Sequence, residues 1–587
     1  MNFLKRVLST VVGIIVFLII SFFGLIFLGA LFGSADNNIV QVRTNSVLEL
    51  QLDFPINDYA GKTNFKEYTF LNENEKNGLF NLIDAINYAA TDSNIQGISI
   101  TNNMVDAGIS QVSALRKALL NFKESGKFIV AYADIYSQKD YYLSSVADTI
   151  YLNPAGMMEF KGLYSEQLYF KDFQEKTGVR MEVVRLGKYK SAVEPFLESE
   201  MSENNREQIY SYLNSLWGTL KSDISESRDI PVESLHQIAD SLLARTPKLA
   251  LKSGLIDRIG YYDEYLNGIK NAVGISSSDN LRFITIEDYA EHAATKLGSK
   301  YSKNKIAVIY AQGEIIYGEG DQTTVGQGAV NRALESARND DRVKAVVLRV
   351  NSPGGSALAS ELIWREIELT KQVKPVIVSM GDLAASGGYY IASNANEIIA
   401  EPTTITGSIG VFGVLPNGKE LADNLGINAE QVVTNKNAVT YSFFERLDDN
   451  QRAYIKEGVL DIYELFSTRV SQGRNLTREQ VETIAQGRVW TGQEALNIGL
   501  VDQLGGLDLA IERASEYAQI EDFTIKELPV FEKDLDKMLQ DFGLVKAKET
   551  ILKEEMGAEN YETYKRIKAL TQKKGIQLLF PYSTNIN

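Results

Sequence analysis

The sequence predicts an α/β protein built of two tandem repeats. Each carries a largely parallel sheet covered by helices; one N-terminal transmembrane helix precedes them and a charged, helical C-terminal extension follows. Three observations predict this. An uncharged apolar run stands near the amino terminus, the chain matches itself at a constant offset, and each matching half alternates short apolar runs with helical periodicity.

The apolar run, Val11 to Phe32, carries no charge. At about 1.5 Å per helical residue it can span the roughly 30 Å hydrocarbon layer of a bilayer. Lys5 and Arg6 precede it and Asp36 follows, so the positive-inside tendency leaves the amino terminus in the cytoplasm and the rest of the chain outside. A cleaved signal peptide competes with this reading, with Gly33-Ser34-Ala35 as a weak cleavage site. The run exceeds the ~7–15 residue apolar core usual for such peptides, so residues 1–35 read as an uncleaved anchor. This predicts a single-pass protein of the inner (cytoplasmic) membrane with its main part on the periplasmic or extracytoplasmic side.

The remainder is long enough for at least two ordinary domains: 587 residues, 44% of them hydrophobic. A net charge of −16 makes nucleic acid a poor ligand, because phosphate binding relies on dense Lys and Arg. The absence of cysteine excludes disulfides, thiolate zinc sites and cysteine nucleophiles. His236 and His292 are the two histidines, both in charged helical surroundings, and both read as solvated surface residues.

The repeats follow. Asn94 to Ile100 resembles Arg342 to Leu348; Tyr141-Tyr142 pairs with Tyr389-Tyr390, Pro154 with Pro402 and Gly178 with Gly426, all at an offset of 248 residues. Ala250 to Asp257 matches Ala495 to Asp502 at 245. The first repeat is assigned to residues 46–297, a polar linker to 298–305 and the second repeat to 306–529. In the second copy Ile306 to Tyr310, Ala345 to Val350, Val376 to Met380 and Glu397 to Ala400 read as strands, Asn331 to Asn339 and Ala357 to Lys371 as helices. Such alternation implies βαβ units. Residues 530–587 form the extension, with Glu532 to Gln540 and Lys546 to Lys553 helical; it is expected to pack on or between the domains.

One copy serves as the control for the other. In the second copy a predicted strand runs into Gly381 to Gly388 and then a helix, a turn that can present the Ser386 hydroxyl and that sets the Gly387 amide at the helix start, where an oxyanion would be stabilised. At the matched position the first copy has Gln138, in a glycine-free turn. Asn351-Ser352-Pro353-Gly354-Gly355-Ser356 also follows a strand only in the second copy, and amides near Gly354 and Gly355 supply a second oxyanion donor or a peptide-binding edge. Serine needs a base. No histidine is credible, whereas a buried lysine loses its proton more readily and can serve. Lys190 in the first copy falls on Ala438 in the second, while Lys188 falls on Lys436 and reads as a surface residue.

Tyr189-Lys190-Ser191-Ala192-Val193-Glu194-Pro195-Phe196, Asn351 to Ser356, Gly381 to Gly388 and Thr406 to Gly413 together resemble the long, duplicated form of the signal peptide peptidase A (protease IV) family over nearly the whole chain. The resemblance implies a crotonase-like α/β fold shared with caseinolytic proteases. It also implies a Ser/Lys dyad at Ser386 and Lys190, a lysine-orienting serine at Ser408 (Phe160 in the first copy), and a homotetrameric bowl with inward-facing sites. The expected activity is a membrane-anchored serine endopeptidase that degrades cleaved signal peptides and other apolar peptides, with no cofactor and no metal. The rivals are a crotonase-like acyl-CoA enzyme and an inactive, protease-derived membrane scaffold. One site per chain is expected, built between the two copies; whether a dyad closes within one chain or between neighbours stays open at this stage.

Overall fold

The computed structural model describes residues 12–22, 24, 42–59, 78–102, 104–298, 302–531 and 576–579. Of the predicted apolar span 11–32, residues 11, 23 and 25–32 lie outside them. Residues 12–22 are helical with exposed apolar side chains, and among the described residues no helix is long and apolar enough to cross a membrane. Part of the linker and both predicted tail helices, 532–540 and 546–553, also lie outside the described residues.

Two parallel sheets carry the duplication. The first contains β1 (Ser46–Leu50), β2 (Ile95–Ile100), β3 (Phe128–Tyr136), β4 (Thr149–Met158), β6 (Arg258–Ile259) and β7 (Arg282–Thr285), in the order β6-β4-β3-β2-β1-β7; β5 (Arg180–Leu186) lies elsewhere. In the second copy β8 (Lys305–Gln312) is followed by β9 (Glu314–Ile316), β10 (Thr324–Gly326), β11 (Val343–Ser352) and β12 (Gly354–Ser356). Then come β13 (Val376–Ala385), β14 (Glu397–Ala400), β15 (Ile405–Gly407), β16 (Val411–Asn417), β17 (Val489–Thr491), β18 (Gln503–Leu504) and β19 (Thr524–Leu528). The path β18-β14-β13-β11-β8-β19 repeats the strand order of the first sheet. These strands form because β-branched runs such as Val346-Val347 in β11 and Val376-Ile377-Val378 in β13 are buried on both faces. Helices Gln327–Asn339 and Ala357–Lys371 cover the second sheet, as the periodicity predicts.

The copies interlock rather than lie side by side. Strand β5, from the first half, pairs antiparallel with β16 of the second over the full register Val411↔Leu186 to Asn417↔Arg180. A third sheet results, in the order β10-β9-β12-β20-β16-β5, where β20 is Ile576–Leu579 of the extension. The bounds 46–297 place β5 within the first repeat, because an internal match reports the extent of a copy but not the partner of a strand.

Elsewhere the junction is polar and buried. Arg349 on β11 donates to both carboxylate oxygens of Asp58, at 3.1 and 3.2 Å, and also to Ser379 Oγ and the Met380 carbonyl. Asp382 accepts from the Ser110 amide of the first copy at 2.7 Å. Of the histidines, His236 is on the surface beside Asp240, but His292 is a correction: it is half-buried, with Tyr88 and Tyr289 rings 6.3 and 5.9 Å away. Charged neighbours in sequence hid an aromatic face that forms only when the helices pack.

Candidate active site

Strand β13 ends at Ala385 and the helix Gly387–Ala392 begins two residues later, so the chain reverses at Ser386. That turn holds Ser386 at φ 58°, ψ −114°, a conformation disfavoured for any side chain with a Cβ. Such a residue costs roughly 1–3 kcal/mol and persists only where its surroundings over-determine it. Here the Ser386 amide donates to the Gly407 carbonyl and its own carbonyl accepts from the Tyr390 amide, both at 2.8 Å. Asn351 Oδ1 braces the approach by accepting from the Leu383 amide. Ser408, the residue after β15, is also at positive φ, and its amide donates to the Arg488 carbonyl.

Lys190 enters from β5. Its side chain is 1% exposed, and Nζ lies 2.8 Å from Ser386 Oγ, 2.9 Å from Ser408 Oγ and 3.1 Å from the Ser408 carbonyl. Burial pushes the ammonium well below the ordinary lysine range, and among the described residues no carboxylate offsets that loss of hydration. The three neighbours match a neutral amine: two N–H groups for the Ser408 oxygens and one lone pair for the Ser386 hydroxyl.

Gly387 packs so tightly on the Gly354-Gly355 segment that a Cβ there would lie 3.1 Å from Gly354 Cα and Gly355 N. The Gly354 amide donates to Ser352 Oγ, and Gly355 lies in β12 between Ile315 of β9 and Leu578 of β20. Strand β20 runs antiparallel to both walls of this cleft. It pairs Leu579, Leu578 and Gln577 with Gly354, Gly355 and Ser356 on one side, and Gln577 and Ile576 with Phe412 and Gly413 on the other.

The matched position in the first copy is filled. Gln138 is fully buried, its Oε1 accepts from the Lys161 and Gly162 amides, and Phe160 packs on Tyr141 and Trp217 where the second copy has Ser408. Ala438, the counterpart of Lys190, is exposed, as is Lys188. Residues 121–276 and 368–521 match Peptidase family S49. The chain is 38% identical to "Protease 4" of Haemophilus influenzae, covering 77% of this chain and 75% of that one.

The chain belongs to peptidase family S49. It is a serine peptidase with tandem S49 domains. Among other S49-type relatives, "Serine protease SPPA, chloroplastic" of Arabidopsis thaliana is 33% identical over 82% of this chain and 70% of its own length. "Putative signal peptide peptidase SppA" of Enterococcus faecium is 33% identical over 33% of this chain and 57% of its own. Sequence reasoning gave no role beside the lysine to Gly410, which lies within the Thr406 to Gly413 motif, and missed Gly487 and Gln208. The two glycines admit Lys190 because a Cβ would come 3.2 Å from its Cδ at Gly410 and 2.6 Å from its Cβ at Gly487. No motif marks Gln208, which reaches the site from the helix Glu203–Arg228 only through folding.

Proposed function

We propose that this S49 peptidase cleaves peptides with a Ser386/Lys190 dyad. Neutral Lys190 takes the Ser386 proton as Oγ attacks the peptide carbonyl, and the Gly355 and Gly387 amides hold the oxyanion. Lys190 then protonates the leaving amine and activates the deacylating water. Ser408 orients the amine. The observation that carries this reading is the 2.8 Å contact between a fully buried lysine and a serine held at positive φ. The strand position taken by β20 supports a peptide main chain bound as an added strand, with side chains sampled alternately on the two faces.

The substrates are apolar peptides, with cleaved signal peptides the class suggested by the name of the Enterococcus faecium relative. The uncharged run Val11 to Phe32 supports an anchor that keeps the peptidase at the membrane carrying those substrates, on its periplasmic or extracytoplasmic side. Exposed Leu425, Ile427 and Val432 support a homo-oligomer, a tetramer in the arrangement proposed. The domain boundaries near 297 and 306 are retained as a working division, although β5 crosses it.

Ser386→Ala and Lys190→Ala are each expected to abolish hydrolysis of an apolar peptide in the purified full chain. A serine-directed fluorophosphonate should label the wild type and not Ser386→Ala. Retained turnover in either variant sinks the dyad. Absent labelling together with absent hydrolysis in the wild type favours the scaffold reading, and thioester turnover without peptide hydrolysis favours the acyl-CoA reading.

A further inference from the structure

Lys190 is held by an unusual piece of backbone. Its φ of −76° and ψ of 71°, with the Ser191 amide donating to the Tyr189 carbonyl at 2.8 Å, make it the central residue of an inverse γ-turn. The Tyr189 amide donates to the Gln486 carbonyl, and Gly487 closes on the opposite face. A γ-turn has one short internal hydrogen bond, so an outside partner must hold its orientation.

Gln208 is such a partner, beside the Gln486 carbonyl. It is 0% exposed on the helix Glu203–Arg228, and its Nε2 donates to the Tyr189 carbonyl at 3.0 Å and to Ser191 Oγ at 2.9 Å, with Asn205 Oδ1 at 3.2 Å. Its Oε1 accepts from the Val489 amide at 3.4 Å. Val489 opens β17, where it pairs with Gly407 of β15. Gly407 receives the Ser386 amide, and Arg488, just before Val489, receives the Ser408 amide. One carboxamide thus touches the turn bearing the base and Val489, which follows the carbonyl that holds Ser408 and pairs with the residue that holds Ser386.

We propose that Gln208 is the positioning residue of the dyad, setting the spacing of Lys190 from Ser386 and Ser408 by tying the γ-turn to β17. This rests on the dyad reading above. Glutamine suits the task because a single planar group offers a donor to one side and an acceptor to the other; leucine offers neither, and glutamate lacks the donor. A loosened lysine drifts from its near-attack position, and a misplacement of about 1 Å costs on the order of 100-fold in rate. It also regains water, which favours the ammonium form.

The test uses the full chain with Gln208→Leu and Gln208→Glu, each titrated with a fluorophosphonate so that rates are expressed per reactive site. For both variants kcat per site is expected to fall about 10–100-fold with KM within about twofold. The acid limb of the pH–rate profile should move to higher pH, further in Gln208→Glu, whose carboxylate favours the charged lysine. Should the leucine variant fail to fold, the near-isosteric glutamate variant carries the same readouts. A lowered melting temperature with wild-type kcat per titrated site and a superimposable pH profile overturns the proposal and leaves Gln208 merely structural. Turnover surviving in Ser386→Ala or Lys190→Ala would instead overturn the dyad, whatever Gln208 does.

Discussion

Lys190 illustrates a conflict between function and stability within one side chain. Its proton affinity is lowered by burial, so in the pH range between its folded value and the ordinary 10.5 the unfolded chain binds the extra proton. Folding therefore works against that protonation at neutral pH. Lys190→Met is expected to be inactive yet more stable than the wild type below the folded pKa, with the gain vanishing above pH 10.5. Denaturant unfolding of both chains at pH 7 and pH 10.5 checks this; equal differences at the two pH values would contradict it. On the proposed dyad, wild-type activity should rise with pH through the same folded value, because only the neutral amine could accept the serine proton.

At the scale of elements, β5 and β20 decide what the cleft is. β5 delivers Lys190 across the copy boundary by pairing with β16, and helix Glu203–Arg228 seals that crossing through Ser215 with Thr491 and Ser211 with Glu494. β20 takes the strand position between β12 and β16, so a peptide bound as the proposed added strand has to displace it. Deletion of residues 575–587 is expected to lower KM for a short apolar peptide several-fold while kcat stays within about twofold. Steady-state kinetics on the truncated and full chains measures this; an unchanged KM would mean that substrate binds without displacing the strand.

Across the whole molecule, buried charge gathers where the copies meet. The Asp58–Arg349 pair is 1% and 3% exposed, and removing one partner from such a pair costs about 3–5 kcal/mol. Beside it, burial raises the Asp382 carboxyl to about 6 and the Glu401 carboxyl to about 7. Glu401 Oε1 is buried without a hydrogen-bond partner among the described residues. A carboxyl whose folded pKa is raised weakens the fold as pH climbs from its unfolded value through the folded one. Glu401→Gln should therefore stabilise the protein by on the order of 1–3 kcal/mol at pH 8.5 and scarcely at pH 4. Chemical unfolding at the two pH values tests it, and a gain equal at both would point to packing instead.

Much of this was legible in the chain itself. The offset of 248 residues announced a duplicated α/β fold, because equal spacing of strands and turns forces equal strand order. Ser386 and Gly354, Gly355 and Gly387 were readable because a tight turn and close backbone contact admit few residue types, Ser408 only through the family resemblance, and Lys190 because its copy lacks a serine and the other lacks a lysine at the matched positions. Gln208, the fillings at Gln138 and Phe160, and the Asp58–Arg349 junction were not legible. Their roles arise from partners distant in sequence, and a buried hydrogen bond leaves no periodicity. Sequence alone determined the family, the repeat and the chemistry on offer; only the tertiary structure decided that β5 crosses between copies and brings a desolvated amine within 2.8 Å of the serine.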